Sequence, residues 1–145
     1  MNGEPLKVLL VEDNPDHAEL VRRSFEDHCV TNTIFHVQDG EEALDYLFQR
    51  NKYDAAEKCP RPHLVLLDLR LPKVDGLQVL KEIKTNEKLK SIPVVVLTTS
   101  NAERDLAGAY EHYVNSYLTK PVDFQKFTEL MKILGFYWLG WNEYR

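Results

Sequence analysis

Asp68 closes a run of apolar residues in the stretch LVLLDLRLPKVDG, residues 64 to 76, where a carboxylate meets a turn. A carboxylate at the rim of a core costs several kcal/mol unless it is solvated, paired or put to use. Other chemistry-bearing residues close other apolar runs: Glu12 and Asp13 follow KVLLV, Thr98 ends VVVLT, and Lys120 with Pro121 follows SYLT. In an open parallel α/β sheet, ligands sit beyond the carboxyl ends of the strands. If these runs are such strands, three acids, a hydroxyl and an ammonium share one rim. Carboxylates gathered that closely repel, and either shifted protonation or a cation relieves them. An oxygen-only ligand set with room for water suits Mg²⁺. Beside such a metal Asp68 is a nucleophile toward phosphorus, with Thr98 and Lys120 placed to bind the phosphoryl oxygens. Each residue alone has an ordinary structural explanation as a cap, a turn or a strand end. Chance explains their joint arrival at four strand ends poorly.

The elements that must position them follow from hydrophobic period and punctuation. Strands are expected at 7–11, 33–37, 63–68, 94–98 and 116–119, and helices at 14–28, 39–50, 75–86, 101–113 and 123–135. Asn14 and Pro15 supply a cap and a first-turn proline for the first helix. Strands alternating with helices imply right-handed crossovers and a parallel sheet covered on both faces. The connection NKYDAAEKCPRP (51–62) is longer than such loops usually are.

At 145 residues the chain has the length of one domain, and its 43% hydrophobic and 28% charged residues are those of an ordinary globular protein. A net charge of -5 disfavours nucleic acid as the main partner. No apolar run approaches a membrane span, and MNGEPLK has no signal-peptide character, so a cytoplasmic location is expected. Cys29 and Cys59 have no metal-ligand spacing and are expected to be free thiols. No phosphate-binding loop of the G-x-x-x-x-G-K-[ST] type is present, so ATP is not the direct donor.

VLLVEDNPD, LVLLDLRLPKVDGLQVL, PVVVLTTS and YLTKPVD, in this order, resemble the motifs of the CheY-like receiver domain of two-component response regulators, over residues 6 to about 134. The resemblance implies a doubly wound five-stranded parallel sheet of order 2-1-3-4-5 with five helices. It implies Asp68 as phosphoacceptor, and Glu12, Asp13, Asp68 and the backbone carbonyl of Arg70 as Mg²⁺ ligands. Thr98 then matches the switch hydroxyl, Lys120 the phosphate-contacting lysine, Tyr117 the switch aromatic, Ser100 a position that tunes phosphoryl lifetime, and Lys120–Pro121 a cis peptide bond. The donor implied is a phosphohistidine on a sensor histidine kinase. The long loop and the C-terminal FYWLGWNEYR make the chain most similar to single receivers that serve cyanobacterial phytochromes.

A receiver domain at 1–135, followed by an aromatic extension at 136–145 and no separate output domain, is therefore expected to signal through protein contact. It would catalyse only its own phosphorylation and dephosphorylation. Phe127, Leu130, Phe136, Tyr137, Trp138 and Trp141 form a candidate apolar interface with a second copy or with a downstream protein. Two alternatives come from other classes. A phosphorylation-independent docking module would keep the site without using it, and an aspartate-nucleophile phosphohydrolase would need an acid where Arg70 stands.

Overall fold

The computed structural model describes residues 6–27, 32–55, 59–69, 73–98, 116–120 and 124–133. The strands are β1 (Leu6–Val11), β2 (Asn32–Val37), β3 (Leu64–Asp68), β4 (Val94–Thr98) and β5 (Ser116–Thr119). The described helices are α1 (Pro15–Asp27), α2 (Gly40–Leu47), α3 (Gly76–Lys84) and α4 (Phe124–Ile133). The helix expected at 101–113 lies outside the described residues.

All five strands are parallel and ordered β2-β1-β3-β4-β5, as the doubly wound reading requires. Strand side chains alternate between two apolar layers. Leu9, Val11, Val65 and Leu67 pack with Ala43, Leu44 and Leu47 of α2 and Val79, Leu80 and Ile83 of α3. Val8, Leu10, Leu64, Leu66, Val95 and Leu97 pack with Ala18 and Val21 of α1 and Phe127 of α4. Buried on both faces, the central strands must be continuous apolar runs, so the acids are pushed to their ends.

Two expectations need correction. The helix expected at 39–50 stops at Leu47, because Gln49 and Asn51 adopt φ of 54° and 57°, left-handed values that end a helix. Phe127, expected on an interface, is fully buried in the layer against β1, β3 and β4. Helical spacing aimed the ring at the sheet, and a core residue has no surface to offer a partner. The described part of the 51–62 connection is anchored. Tyr46 Oη donates to the Pro60 carbonyl at 2.8 Å, Tyr53 Oη donates to Glu42 Oε2 at 2.6 Å, and the free thiol of Cys59 is buried beneath. No helix among the described residues is long and apolar enough to cross a membrane.

Truncating Phe127 to Ala should cost about 3–5 kcal/mol of stability, the loss for a buried aromatic. Denaturant titration measures it. A loss below 1 kcal/mol, with self-association abolished, would return the ring to an interface.

Candidate functional site

Local structure carries each acid to the rim. β1 delivers Glu12, whose N–H donates to the Val37 carbonyl at 3.0 Å, tying its backbone to the end of β2. The ring of His36 holds the other side of that residue: its Nε2 lies 2.7 Å from the Glu12 carbonyl, which can only accept, so Nε2 carries the proton. Asn14 then turns the chain into α1. Its Oδ1 accepts from the N–H groups of Asp16 at 2.8 Å and His17 at 3.2 Å, while its own N–H donates to Glu12 Oε2 at 3.2 Å.

On the other side of β1, Asp68 is the last residue of β3 and is 4% exposed. Gly76, the first residue of α3, comes so close to this strand end that a Cβ there would lie 2.6 Å from the Asp68 carbonyl oxygen. Asp75 caps that helix, its Oδ1 accepting from the Gln78 N–H at 2.9 Å. Glycine thus lets a capped helix start against the strand that presents the acid.

The three acids meet. One carboxylate oxygen from each of Glu12, Asp13 and Asp68 lies within 4.8 Å of the others, Glu12 and Asp68 buried and Asp13 exposed. Lys120, just past β5, brings its Nζ to 2.6 Å from Glu12 Oε1 and 2.9 Å from Asp68 Oδ2. Burial is the largest influence on the Glu12 carboxyl and raises it above its ordinary 4.5. The charge of Asp68 adds to the rise, and the hydrogen bond from Lys120 opposes it. Burial alone would lower the Lys120 ammonium, but its bonds to Glu12 and Asp68 outweigh this, so its affinity for the proton rises. Three carboxylates against one ammonium leave an excess of negative charge that a divalent cation would neutralise. The donor set is all oxygen, which fits Mg²⁺ or Mn²⁺. Glu12, Asp13 and Asp68 would hold such an ion.

Thr98 ends β4, one residue beyond the Leu97 that pairs with Asp68. Its Oγ1 is buried and has no hydrogen-bond partner among the described residues. An orphaned buried hydroxyl costs about 1–3 kcal/mol, and here it stands one residue beyond the partner of Asp68. Its carbonyl accepts from the Lys120 N–H at 2.7 Å, linking the two residues through backbone. Tyr117, half-buried on β5, packs with Leu69, Leu77 and Val96. Arg70, Ser100, Pro121, Phe136, Tyr137, Trp138 and Trp141 lie outside the described residues, as does the side chain of Leu130. His17 and His36 were not singled out from the sequence, where five scattered histidines form no motif. The cap at Asn14 was the available signal, since it places His17 in the first turn of a helix that starts at the site.

The family described as response regulator receiver domain matches residues 8–132. A protein of Methanothrix harundinacea (strain 6Ac), the probable methanogenesis regulatory protein FilR2, is 50% identical over 139 residues, 96% of this chain and 87% of that one. Response regulator Rcp1 of Synechocystis sp. (strain ATCC 27184 / PCC 6803 / Kazusa) is 42% identical over 138 residues, 95% of this chain and 92% of that one. Its solved Mn²⁺-bound form superposes with a TM-score of 0.72 at 44% identity, covering 91% of this chain and 94% of that one. The bacteriophytochrome response regulator AtBRR superposes with a TM-score of 0.83 at 44% identity, covering 93% of this chain and 96% of that one.

Because folding raises the Glu12 carboxyl, the native state binds that proton more tightly than the unfolded chain. The resulting stabilisation is complete below pH 4.5 and is lost as pH rises through the folded value. Glu12→Gln should therefore raise the Tm at pH 7.5 without divalent cations, and the gain should disappear near pH 4. Added Mg²⁺ should raise the Tm of the wild type more than that of the variant. A lower Tm for Glu12→Gln at pH 7.5 would show that the ion pair with Lys120 outweighs the burial of charge.

Proposed function

The chain belongs to the response regulator receiver family, and on that premise we propose that it takes a phosphoryl group on Asp68 from a phosphohistidine of a sensor kinase and signals through a phosphorylation-dependent protein contact. The observation that carries this reading is the buried Asp68 carboxylate, which shares the Lys120 ammonium with Glu12 and stands within an acid cluster of cation-binding size. Asp68 attacks phosphorus in line, forming an O–P bond as the P–N bond to the donor imidazole breaks, and the imidazole leaves with the electron pair. Positioning and charge neutralisation dominate such a transfer. A bound Mg²⁺ supplies neutralisation of the phosphoryl oxygens. Lys120 donates hydrogen bonds to the same oxygens, and Arg70 and Ser100 fill the ligand and lifetime-tuning roles of their motif positions.

Thr98 supplies readout. Its hydroxyl, without a partner among the described residues, gains an acceptor once Asp68 carries phosphoryl oxygens, a hydrogen bond to a charged group worth about 1.5–3 kcal/mol. Moving an equilibrium from 1:99 to 99:1 takes about 5.5 kcal/mol. Thr98 therefore acts with Lys120, the metal and Tyr117, or the resting protein already samples the active state. The protein catalyses only its own phosphorylation and dephosphorylation, and its location is the cytoplasm.

The kinase is of the phytochrome type in this reading, supported by the likeness to AtBRR and to Rcp1. The greater identity to FilR2 favours a second reading, in which a kinase of methanogenesis regulation supplies the phosphoryl group. Phosphotransfer from a phytochrome kinase, run beside transfer from a kinase of the FilR2 system, separates them by rate. Contact then spreads to the segment 136–145, whose aromatic residues form the face of a phosphorylation-dependent homodimer or bind a downstream protein.

Incubated with acetyl phosphate and Mg²⁺, the wild type should gain the mass of one phosphoryl group and Asp68→Asn none. No gain in the wild type would leave a docking module that keeps the site unused. Thr98→Ala should gain the phosphoryl mass but lose most of the accompanying rise in solution molecular mass. Deleting residues 136–145 should abolish that rise, and a dimer that survives the deletion would remove the tail from the interface.

A further inference from the structure

We infer that His17 is a positioning residue for Lys120, supplying the third acceptor that keeps the ammonium over Asp68. This inference rests on the reading of Asp68 as the phosphoacceptor. A lysine ammonium carries three N–H donors. Two point to Glu12 Oε1 and Asp68 Oδ2, and the third reaches His17 Nδ1 at 3.2 Å. Since the ammonium can only donate, Nδ1 accepts and the ring proton sits on Nε2. Glu12 Oε2 lies 3.7 Å from the same Nδ1, beyond hydrogen-bond range, so the lysine is the closer partner.

The position of the ring is built into α1. Asn14 Oδ1 accepts from the His17 N–H, which fixes this residue in the first turn, and side chains there lean toward the N-terminal end where Lys120 arrives. The consequence concerns what happens when the carboxylates change partners. Phosphorylation replaces the Asp68 carboxylate with phosphoryl oxygens further from the strand end, and a cation competes for Glu12, so both charged anchors of Lys120 change position. Lysine sits on a flexible four-carbon stem and must follow them without leaving the site. His17 adds an anchor that takes no part in either exchange and brings no charge of its own. It holds Nζ near the phosphoryl position before and after transfer.

The test compares wild type, His17→Phe and His17→Asn in the initial rate of phosphoryl uptake from acetyl phosphate with Mg²⁺, read by intact mass. Phe keeps the ring without the acceptor, and Asn places an acceptor oxygen where Nδ1 stands. His17→Phe should be roughly tenfold slower, short of the ~100-fold that a 1 Å misplacement can cost, and His17→Asn should restore most of the rate. Equal rates for wild type and His17→Phe overturn the inference, as does a defect that Asn fails to repair. A thermal double-mutant cycle without metal, pairing His17→Phe with Lys120→Met, stands independently of phosphoryl uptake. The Tm shift caused by His17→Phe should vanish in the Lys120→Met background. Equal shifts in both backgrounds overturn the inference even where uptake is normal. A wild type that takes up no phosphoryl group refutes the Asp68 reading, and the cycle alone then decides whether His17 holds Lys120.

Discussion

One partly buried ammonium shared by two buried carboxylates is the constraint around which this molecule is arranged. Glu12 and Asp68 are 2% and 4% exposed, and each would be expensive without Lys120 at 2.6 and 2.9 Å. The pairing is incomplete by design of the charge balance, since Asp13 adds a third carboxylate to the same cluster. A fully neutral cluster would be more stable and would have little attraction for a divalent cation. The excess negative charge and the raised proton affinity of Glu12 are the cost of gathering three carboxylates at one rim.

The sheet makes that concentration of charge possible. β1 and β3 are adjacent and parallel, with Val11 opposite Leu67, so the residues just past their ends arrive side by side. β4 and β5 follow in the same direction and deliver Thr98 and Lys120 to the same rim. Two close approaches keep the rim compact. Gly40 packs its backbone against Val74, where a Cβ would collide with the carbonyl oxygen, and Gly76 does the same against Asp68 and Leu69. Both glycines begin helices that pack on one face of the sheet, so a side chain at either position would push a helix away from the site.

Thr98 is the unsatisfied member of this rim among the described residues. Its hydroxyl is buried without a hydrogen-bond partner among the described residues, an uncompensated cost at the end of a central strand. Its carbonyl already holds the Lys120 backbone, and Tyr117 lies against Leu69 and Val96 on the adjoining strands. Asp68, Thr98 and Lys120 are thus joined through adjoining strands and one backbone bond, with Tyr117 packed alongside.

Much of this was legible in the residues alone. Continuous apolar runs ending in Glu12, Asp68 and Thr98 specify strands buried on both faces, because a parallel sheet leaves polar residues nowhere else to go. Asn14 and Asp75 announce helix starts because their side chains satisfy N–H groups that a helix leaves open. Local signals failed where distance in sequence hides nearness in space. Helical spacing marked Phe127 as apolar but could not say whether the ring faced the sheet or a partner, a choice made by α4 packing beneath β1, β3 and β4. A lone histidine in a first helical turn carries no sequence signal of function, and only the return of the chain 103 positions later sets Lys120 beside His17. Sequence determined the elements and the chemical types at their ends, through periodicity and capping that act over a few residues. Tertiary structure decided which of those groups touch, because burial, shared protons and charge depend on distances that only the closed sheet defines.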